Sequence, residues 1–137
     1  MTNWKGWIIK ESLKDKKILS QLKAIEIKTE KNRETGQTVI WHLYTVEVED
    51  KNMDKLTAAL EKQMKFSWYA HFTNFKKVRV IFKGKSFKIR LNKKPKEGKN
   101  GVTKFKAAPE DLPVWKTAVK YAITKGKIDP RYLIEIN

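Results

Sequence analysis

Tyr69 and His71 stand two residues apart in the segment 66–72, alternating with Trp68, Ala70 and Phe72. In an extended strand that spacing places a phenol and an imidazole on one face and the apolar side chains on the other. Arg79 and Arg90 follow on two apolar segments, 78–82 and 87–91. A two-residue type II′ turn at Gly84 and Lys85 would join these, so that Phe82 faces Phe87, Val80 faces Ile89 and Val78 faces Leu91. The same register sets Arg79 opposite Arg90 on the other face and Lys88 opposite Ile81, with Lys83 close by. Pairing 66–72 with this hairpin, apolar face to apolar face, then gathers Tyr69, His71, Arg79 and Arg90 on one surface. Rings for stacking beside guanidinium groups for phosphate suit a single-stranded nucleic acid. Facing arginines repel unless both reach water or an anion lies between them. Tyr69 at a sheet rim and His71 in solvent fit the same pattern without a ligand.

The positive charge is concentrated around that hairpin. Residues 76–106 hold 13 lysines and arginines against one acid, Glu97, a net +12 of the chain's +16. Lys93, Lys94 and Lys96 extend the set formed by Lys83, Lys85 and Lys88 into a loop, 92–106, marked by Pro95, Gly98 and Gly101. Such an excess favours polyanions. A membrane-surface protein would carry its lysines on a basic amphipathic helix, whereas these fall on predicted strands and a loop, so RNA or single-stranded DNA is the expected partner and no membrane is.

Other chemistries find less in the sequence. A metal-independent ribonuclease would use His71 or Tyr69 as general acid or base, with Arg79, Arg90 and Lys88 stabilising the phosphorane. With two histidines, no cysteine and no HExxH spacing, no metal site is expected. Glycine-rich phosphate loops and a nucleophile-elbow serine are lacking too, so no cofactor is expected. The fragment 83–87, Lys-Gly-Lys-Ser-Phe, resembles the first ribonucleoprotein motif of RNA-recognition domains but has Lys85 where that motif has an aromatic.

The elements that must position these residues follow from periodicity. Strands are expected at 4–10, 24–30 and 38–49; the last is apolar on both faces near its middle, as a central strand would be. A short helix is expected after Ser12, with Ser12 and Asp15 as a capping box and Ile18, Leu19 and Leu22 inward. Asp50 or Asn52 would cap a second helix carrying Met53, Leu56, Leu60 and Met64. Asp111 would cap a third, with Pro113 in its first turn, Trp115, Ala118, Val119, Ala122 and Ile123 on one side, and Gly126 at its end. Turns are expected at 31–37 and at Asp129-Pro130, and 132–136 as an edge strand or a tail packed on the core. The five tryptophans fall within predicted elements and read as core; His42 reads as a hydrogen-bonded, half-buried histidine.

A single α+β domain is expected: a core at 4–91, a basic loop at 92–108, and a C-terminal helix and tail at 109–137. The element order is that of the ferredoxin-like split βαβ arrangement, an antiparallel sheet with helices on one face, plus an extra β-hairpin and a C-terminal helix. Its open face could take RNA, a small ligand, or a second copy in a homodimer. Without cysteine, a signal-like apolar run or a membrane-length segment, the chain reads as soluble and cytoplasmic.

Three segments, Trp4-Lys-Gly-Trp-Ile-Ile, Trp68-Tyr-Ala-His-Phe72 and Ile81-Phe-Lys-Gly-Lys-Ser-Phe87, resemble a group of small bacterial and archaeal proteins sharing the WKGWII, WYxHF and IFKGKxF patterns. The resemblance covers 4–91 and the helix after Asp111. It implies a prokaryotic setting and no particular reaction, and it makes the lysine-rich 92–106 loop a departure from the shared pattern.

Overall fold

The computed structural model describes residues 3–34, 37–97 and 102–137. The chain runs β1 (Asn3–Ile9), α1 (Lys17–Ser20), β2 (Lys23–Glu34), β3 (Gln37–Glu49), α2 (Asp50–Gln63), β4 (Ala70–Thr73), β5 (Lys77–Phe82), β6 (Lys85–Arg90), β7 (Lys104–Phe105), α3 (Leu112–Thr124) and β8 (Glu135–Ile136). It is a mixed α+β protein. Six strands form a sheet in the order β2-β3-β1-β4-β5-β6, every neighbouring pair antiparallel, and β7 and β8 make a short parallel pair.

The alternation of each strand assigns its two faces. Trp4 and Ile8 of β1, Val46 and Val48 of β3, Ala70 and Phe72 of β4 and Ile81 of β5 pack beneath α2, which contributes Met53, Leu56 and Leu60. Trp7 of β1, Val78, Val80 and Phe82 of β5, and Phe87 and Ile89 of β6 pack on the opposite side against Trp115, Ala118 and Ala122 of α3. β3, apolar on both faces, is an internal strand as expected.

Several expected boundaries move. The first helix shrinks to a 3-10 turn at Lys10–Ser12 and the four-residue α1. No capping box forms, because the Ser12 hydroxyl donates to the Ile9 carbonyl at 2.5 Å, while the Asp15 carboxylate accepts from the Lys17 amide at 2.9 Å. Asp50 opens α2 without capping it, its carboxylate accepting instead from the Trp4 indole at 2.7 Å. The strand β2 continues to Glu34, past the expected start of the turn; Gly36 in that turn, and Gly98, Lys99 and Gly101 in the basic loop, lie outside the described residues.

The expected open face is largely closed by the chain itself. Besides α3, Val102, Phe105 and Ala107 from the stretch read as loop, and Ile128, Ile134 and Ile136 from the C-terminal tail, are buried in the same cluster as Val80 and Phe82. Helices therefore lie on both faces of the sheet, and most of the face that could have taken RNA, a small ligand or a second copy is occupied. Sequence periodicity could not show this, because 102–107 carries its apolar residues singly between lysines.

The hairpin register also differs from the expectation. Lys83 and Gly84 are the turn residues, and β5 pairs with β6 as Val78↔Ile89, Arg79↔Lys88, Val80↔Phe87 and Phe82↔Lys85. Gly84 has φ +81 while Lys83 does not, so the positive φ falls at the second central position, as in a type II turn rather than II′. The turn is fixed from both sides: the Gly84 amide donates to the Glu61 carbonyl of α2, and the Tyr121 hydroxyl of α3 donates to the Lys83 carbonyl. The two-residue shift keeps every side chain on its face but separates Arg79 from Arg90, which now lies across from Lys77.

Candidate functional site

The expected constellation of Tyr69, His71, Arg79 and Arg90 does not assemble, because β4 meets β5 in the opposite phase. His71 pairs with Val80 and Phe72 with Arg79. Both faces of β4 are buried, so alternation alone could not choose between the two phases. Tyr69 and His71 thus lie on the α3 side and Arg79 on the α2 side. Arg79 is 5% exposed. Its Nη1 donates to Thr57 Oγ1 at 2.7 Å and to Asp54 Oδ1 at 3.0 Å, and its guanidinium lies 5.3 Å from the Trp4 ring centroid. It joins α2 to the sheet and has no access to a phosphate. Lys88, beside it, points toward the same Asp54 carboxylate at 4.0 Å.

Arg90 is exposed, but its guanidinium is engaged by Asp111, with Nε and Nη2 donating to the two carboxylate oxygens at 3.1 and 3.0 Å. The Arg90 amide donates to the same carboxylate at 2.7 Å, so Asp111, expected as a helix cap, fastens β6 to the start of α3. This pairing lowers the Asp111 carboxyl below its ordinary value and raises Arg90.

The free lysines divide between two ends of the hairpin. At the turn, Lys83 lies over Phe66 and Lys85 over Phe87 and Tyr121. The neighbouring Lys14 ammonium, with partial desolvation, holds Lys83 below the ordinary lysine value. The other end, separated by the length of β5 or about 20 Å, is more populated. There the Leu91 amide donates to the Lys76 carbonyl and the Asn92 amide to the Lys106 carbonyl, both at 2.8 Å, which brings the β4–β5 turn, the end of β6 and the 104–107 segment together. Lys93, Lys94, Lys96, Lys104 and Lys106 line a groove of about 430 Å³, with buried Phe105, Glu135 and Asn137 also in its walls. Lys94 covers Phe75 at 5.6 Å, and Lys76 and Lys77 follow on the adjoining β4–β5 turn. Among the described residues none of these seven ammonium groups has a carboxylate partner within 4.0 Å; Glu97, the acid nearest in sequence, is taken by Lys5.

A second concavity, of about 390 Å³, lies where β3, β1 and β4 remain uncovered by α3. Trp7, Trp41, Leu43, Trp68, His71 and Tyr132 are among its walls. Trp7 is stacked on His71 with centroids 5.0 Å apart, and Trp41 meets Trp68 edge to face at 5.1 Å. Trp4, Trp7 and Trp115 are core residues as expected, but Trp41 and Trp68 are half-buried and face this opening. No sequence signal separates them from core tryptophans, since the opening exists only because α3 stops short of β3.

Within that concavity His71 is neutral. Burial lowers its pKa to about 4, against a smaller opposing effect of the Val102 carbonyl, which accepts from Nε2 at 2.8 Å. Burial likewise raises the Tyr69 hydroxyl, which donates to the Tyr132 carbonyl, far above neutrality. Neither group can exchange a proton readily near neutral pH in this arrangement. His42, half-buried as expected, binds Glu11: its amide and Nδ1 lie 2.6 and 3.0 Å from the two carboxylate oxygens. Partial burial pushes Glu11 up, but these hydrogen bonds outweigh it and leave the carboxyl below its ordinary value.

Among the described residues no three His, Asp or Glu side chains converge to hold a metal ion, and no helix is long and apolar enough to cross a membrane. Comparison of the chain with protein-family models, with curated proteins and with solved structures finds no match.

Proposed function

We propose that this protein binds nucleic acid, RNA or single-stranded DNA, without cleaving it, and that the strand's phosphates lie along the lysine-rich groove at the β6 end of the sheet. The observation that carries this is the convergence of five lysines from two separate stretches of chain, 93–96 and 104–106, on one groove, none of them with a carboxylate partner within 4.0 Å among the described residues, with Lys76 and Lys77 following on the adjoining β4–β5 turn. Solvated surface lysines are ordinarily interspersed with acids, as they are elsewhere in this chain. Here mutual repulsion is accepted at one place, which favours a polyanion that would relieve it. The expected site is revised accordingly: Lys93, Lys94 and Lys96 keep their role and gain Lys76, Lys77, Lys104 and Lys106, Lys83 and Lys85 form a separate basic point, and Arg79, Lys88 and Arg90 act in holding the fold. The ribonuclease alternative weakens because His71 is buried and Tyr69 half-buried, with burial moving the pKa of each away from neutrality.

We also read β1 to β4 with their two helices as the ferredoxin-like split βαβ arrangement, which the order β2-β3-β1-β4 supports; β5, β6 and α3 then extend it at one edge.

The test is binding of a labelled single-stranded RNA and a DNA duplex over a salt series. Each phosphate contacted on a single strand contributes about −0.7 to the log–log salt slope, so five to seven contacts give roughly −3.5 to −5. Lys93→Gln/Lys94→Gln/Lys96→Gln should flatten the slope by about 2, whereas Arg79→Met should leave it unchanged. Affinity no better than about 10⁻⁴ M near physiological salt, or a slope indifferent to the triple substitution, overturns the assignment. Shortening of the RNA during the titration would return the nuclease to first place.

A further inference from the structure

The aromatic concavity is built unlike the rest of the surface, with core residues Trp7 and His71 in its floor and half-buried Trp41 and Trp68 at its sides. At about 390 Å³ it lies near the small end of ligand pockets, which run from about 300 to 1,000 Å³. Trp41 and Trp68 leave ring surface uncovered there, and His71 forms part of the inner wall. His71 is only 8% exposed, and with Nε2 donating to the Val102 carbonyl its Nδ1 is an acceptor that has no protein partner among the described residues and is not sealed from solvent, so it is available to an incoming donor.

The rim is also strained. Of three non-glycine residues with positive φ among the described residues, two, Ser67 at 74° and Lys127 at 57°, lie side by side at this opening. They are locked together by the Ser67 hydroxyl donating to the Lys127 carbonyl at 2.8 Å, and the Ser67 amide donates to the Gly126 carbonyl at 2.6 Å. Backbone strain held by its surroundings in this way concentrates at binding sites. The Asp129 carboxylate at the same rim is taken up by the Arg131 amide and guanidinium at 2.7 to 3.0 Å, while the Lys127 ammonium has no carboxylate partner among the described residues. The opening thus offers flat apolar rings, one inward acceptor and one free cation.

We propose that this pocket receives one nucleobase of a bound single strand, lodged against Trp41 and Trp68 with an N–H on its edge directed to His71 Nδ1. The proposal rests on the reading that the lysine groove holds the strand's phosphates, and the two sites are close enough to share one strand. Tyr132 lines the pocket and Glu135 the groove, and three residues of chain span at most about 11 Å. Between them run β7 and the residues before it, with Val102 and Phe105 touching His71 and Lys104 in the groove.

The discriminating probes are a 12-residue oligothymidylate and a strand with the same phosphates but abasic sugars. If the groove alone binds, both associate equally and with equal salt slopes. A base in the pocket makes the oligothymidylate bind roughly ten- to hundred-fold tighter at any one salt concentration. Trp41→Ala should remove most of that preference without changing the slope, and Trp41→Phe should restore part of it. In the unmodified protein the indole N–H resonances of Trp41 and Trp68 should shift with oligothymidylate while those of Trp4 and Trp115 stay, which keeps the test independent of how the variants fold. Equal binding of the two strands, or a base preference that survives Trp41→Ala with unshifted Trp41 and Trp68 resonances, overturns the base pocket and leaves the groove standing. Failure of both strands to bind overturns the groove, and the base pocket with it.

Discussion

His71 shows how one buried side chain couples the pocket to stability. Trp7 is stacked on one side of its ring, Phe105 meets it edge to face at 6.2 Å and Tyr69 lies at 6.3 Å, so water is largely excluded and the charged form is penalised. The folded pKa, about 4, is below the unfolded value of about 6.5. Between these values the unfolded chain binds a proton that the native state refuses, so stability rises with pH through that window; the contribution is whole above about 6.5 and is lost as pH falls toward 4. From pH 7 to pH 5 the loss attributable to His71 should be about 2 kcal/mol. Glu11, whose carboxyl is held low, gives up its contribution only as pH falls through the acid range below its ordinary value, so the two are separable. Urea unfolding at pH 7 and pH 5 checks this against His71→Gln, which keeps an N–H donor for the Val102 carbonyl but does not titrate. Parallel losses in the two proteins would show that the imidazole is not responsible. None of this could be read from the sequence, where His71 alternates with apolar neighbours as a solvent-facing histidine would. The charge on 76–106 was readable because counting lysines needs no geometry; that Arg79 and Arg90 are each consumed by an aspartate depends on Asp54 and Asp111, which are distant in sequence.

At the scale of elements, what was legible is whatever one helix or strand decides by itself. The stripe of Met53, Leu56 and Leu60 identifies α2, the spacing of Trp115, Ala118 and Ala122 identifies α3, and the double-sided apolar centre of β3 identifies an internal strand. What was not legible is how two elements with no polar face choose their phase. For β4 that choice is made by Gly6 of β1, which pairs with Phe72. The Phe72 ring lies over the glycine so closely that a Cβ there would come within 2.1 Å of Cδ2. Gly6 is therefore a packing glycine, with its conformational freedom unused. Gly6→Ala forces the ring from a fully buried site, and overpacking of this kind costs about 1–3 kcal/mol or more. Phe72→Leu alone removes volume from the core and is also destabilising. Because the two residues share one space, the double substitution should cost about 1 kcal/mol or more less than the sum of the singles. Denaturant unfolding of the four proteins measures that coupling, and strict additivity would mean that Phe72 is not what Gly6 accommodates.

For the whole molecule, the charge of +16 is not spread over the fold but is heaviest where the chain closes on itself. The end of β6, the 104–107 segment and the C-terminal tail are joined by hydrogen bonds such as Ala107 amide to Asn137 carbonyl at 2.8 Å and Glu135 amide to Thr103 carbonyl at 2.9 Å. The segment and tail also bury Phe105, Ile134 and Ile136 against the sheet. The same contacts that seal the second face thus bring the five lysines of the groove close together. With a Debye length of about 30 Å at 0.01 M salt and about 10 Å at 0.1 M, their repulsion acts across the whole groove in dilute buffer and is screened to near neighbours at ordinary ionic strength. In the absence of any polyanion, raising sodium chloride from about 0.01 to 0.1 M should therefore raise the melting temperature. Lys93→Gln/Lys94→Gln/Lys96→Gln should melt higher than the unsubstituted chain at the low salt concentration and respond less to added salt, while Lys83→Gln/Lys85→Gln, at the far end of the hairpin, should have the smaller effect. Calorimetry of the three proteins at the two salt concentrations decides it. Identical salt responses would mean that the lysines relieve one another by extending into water, and the groove would lose the unrelieved charge on which its affinity for a phosphate backbone depends.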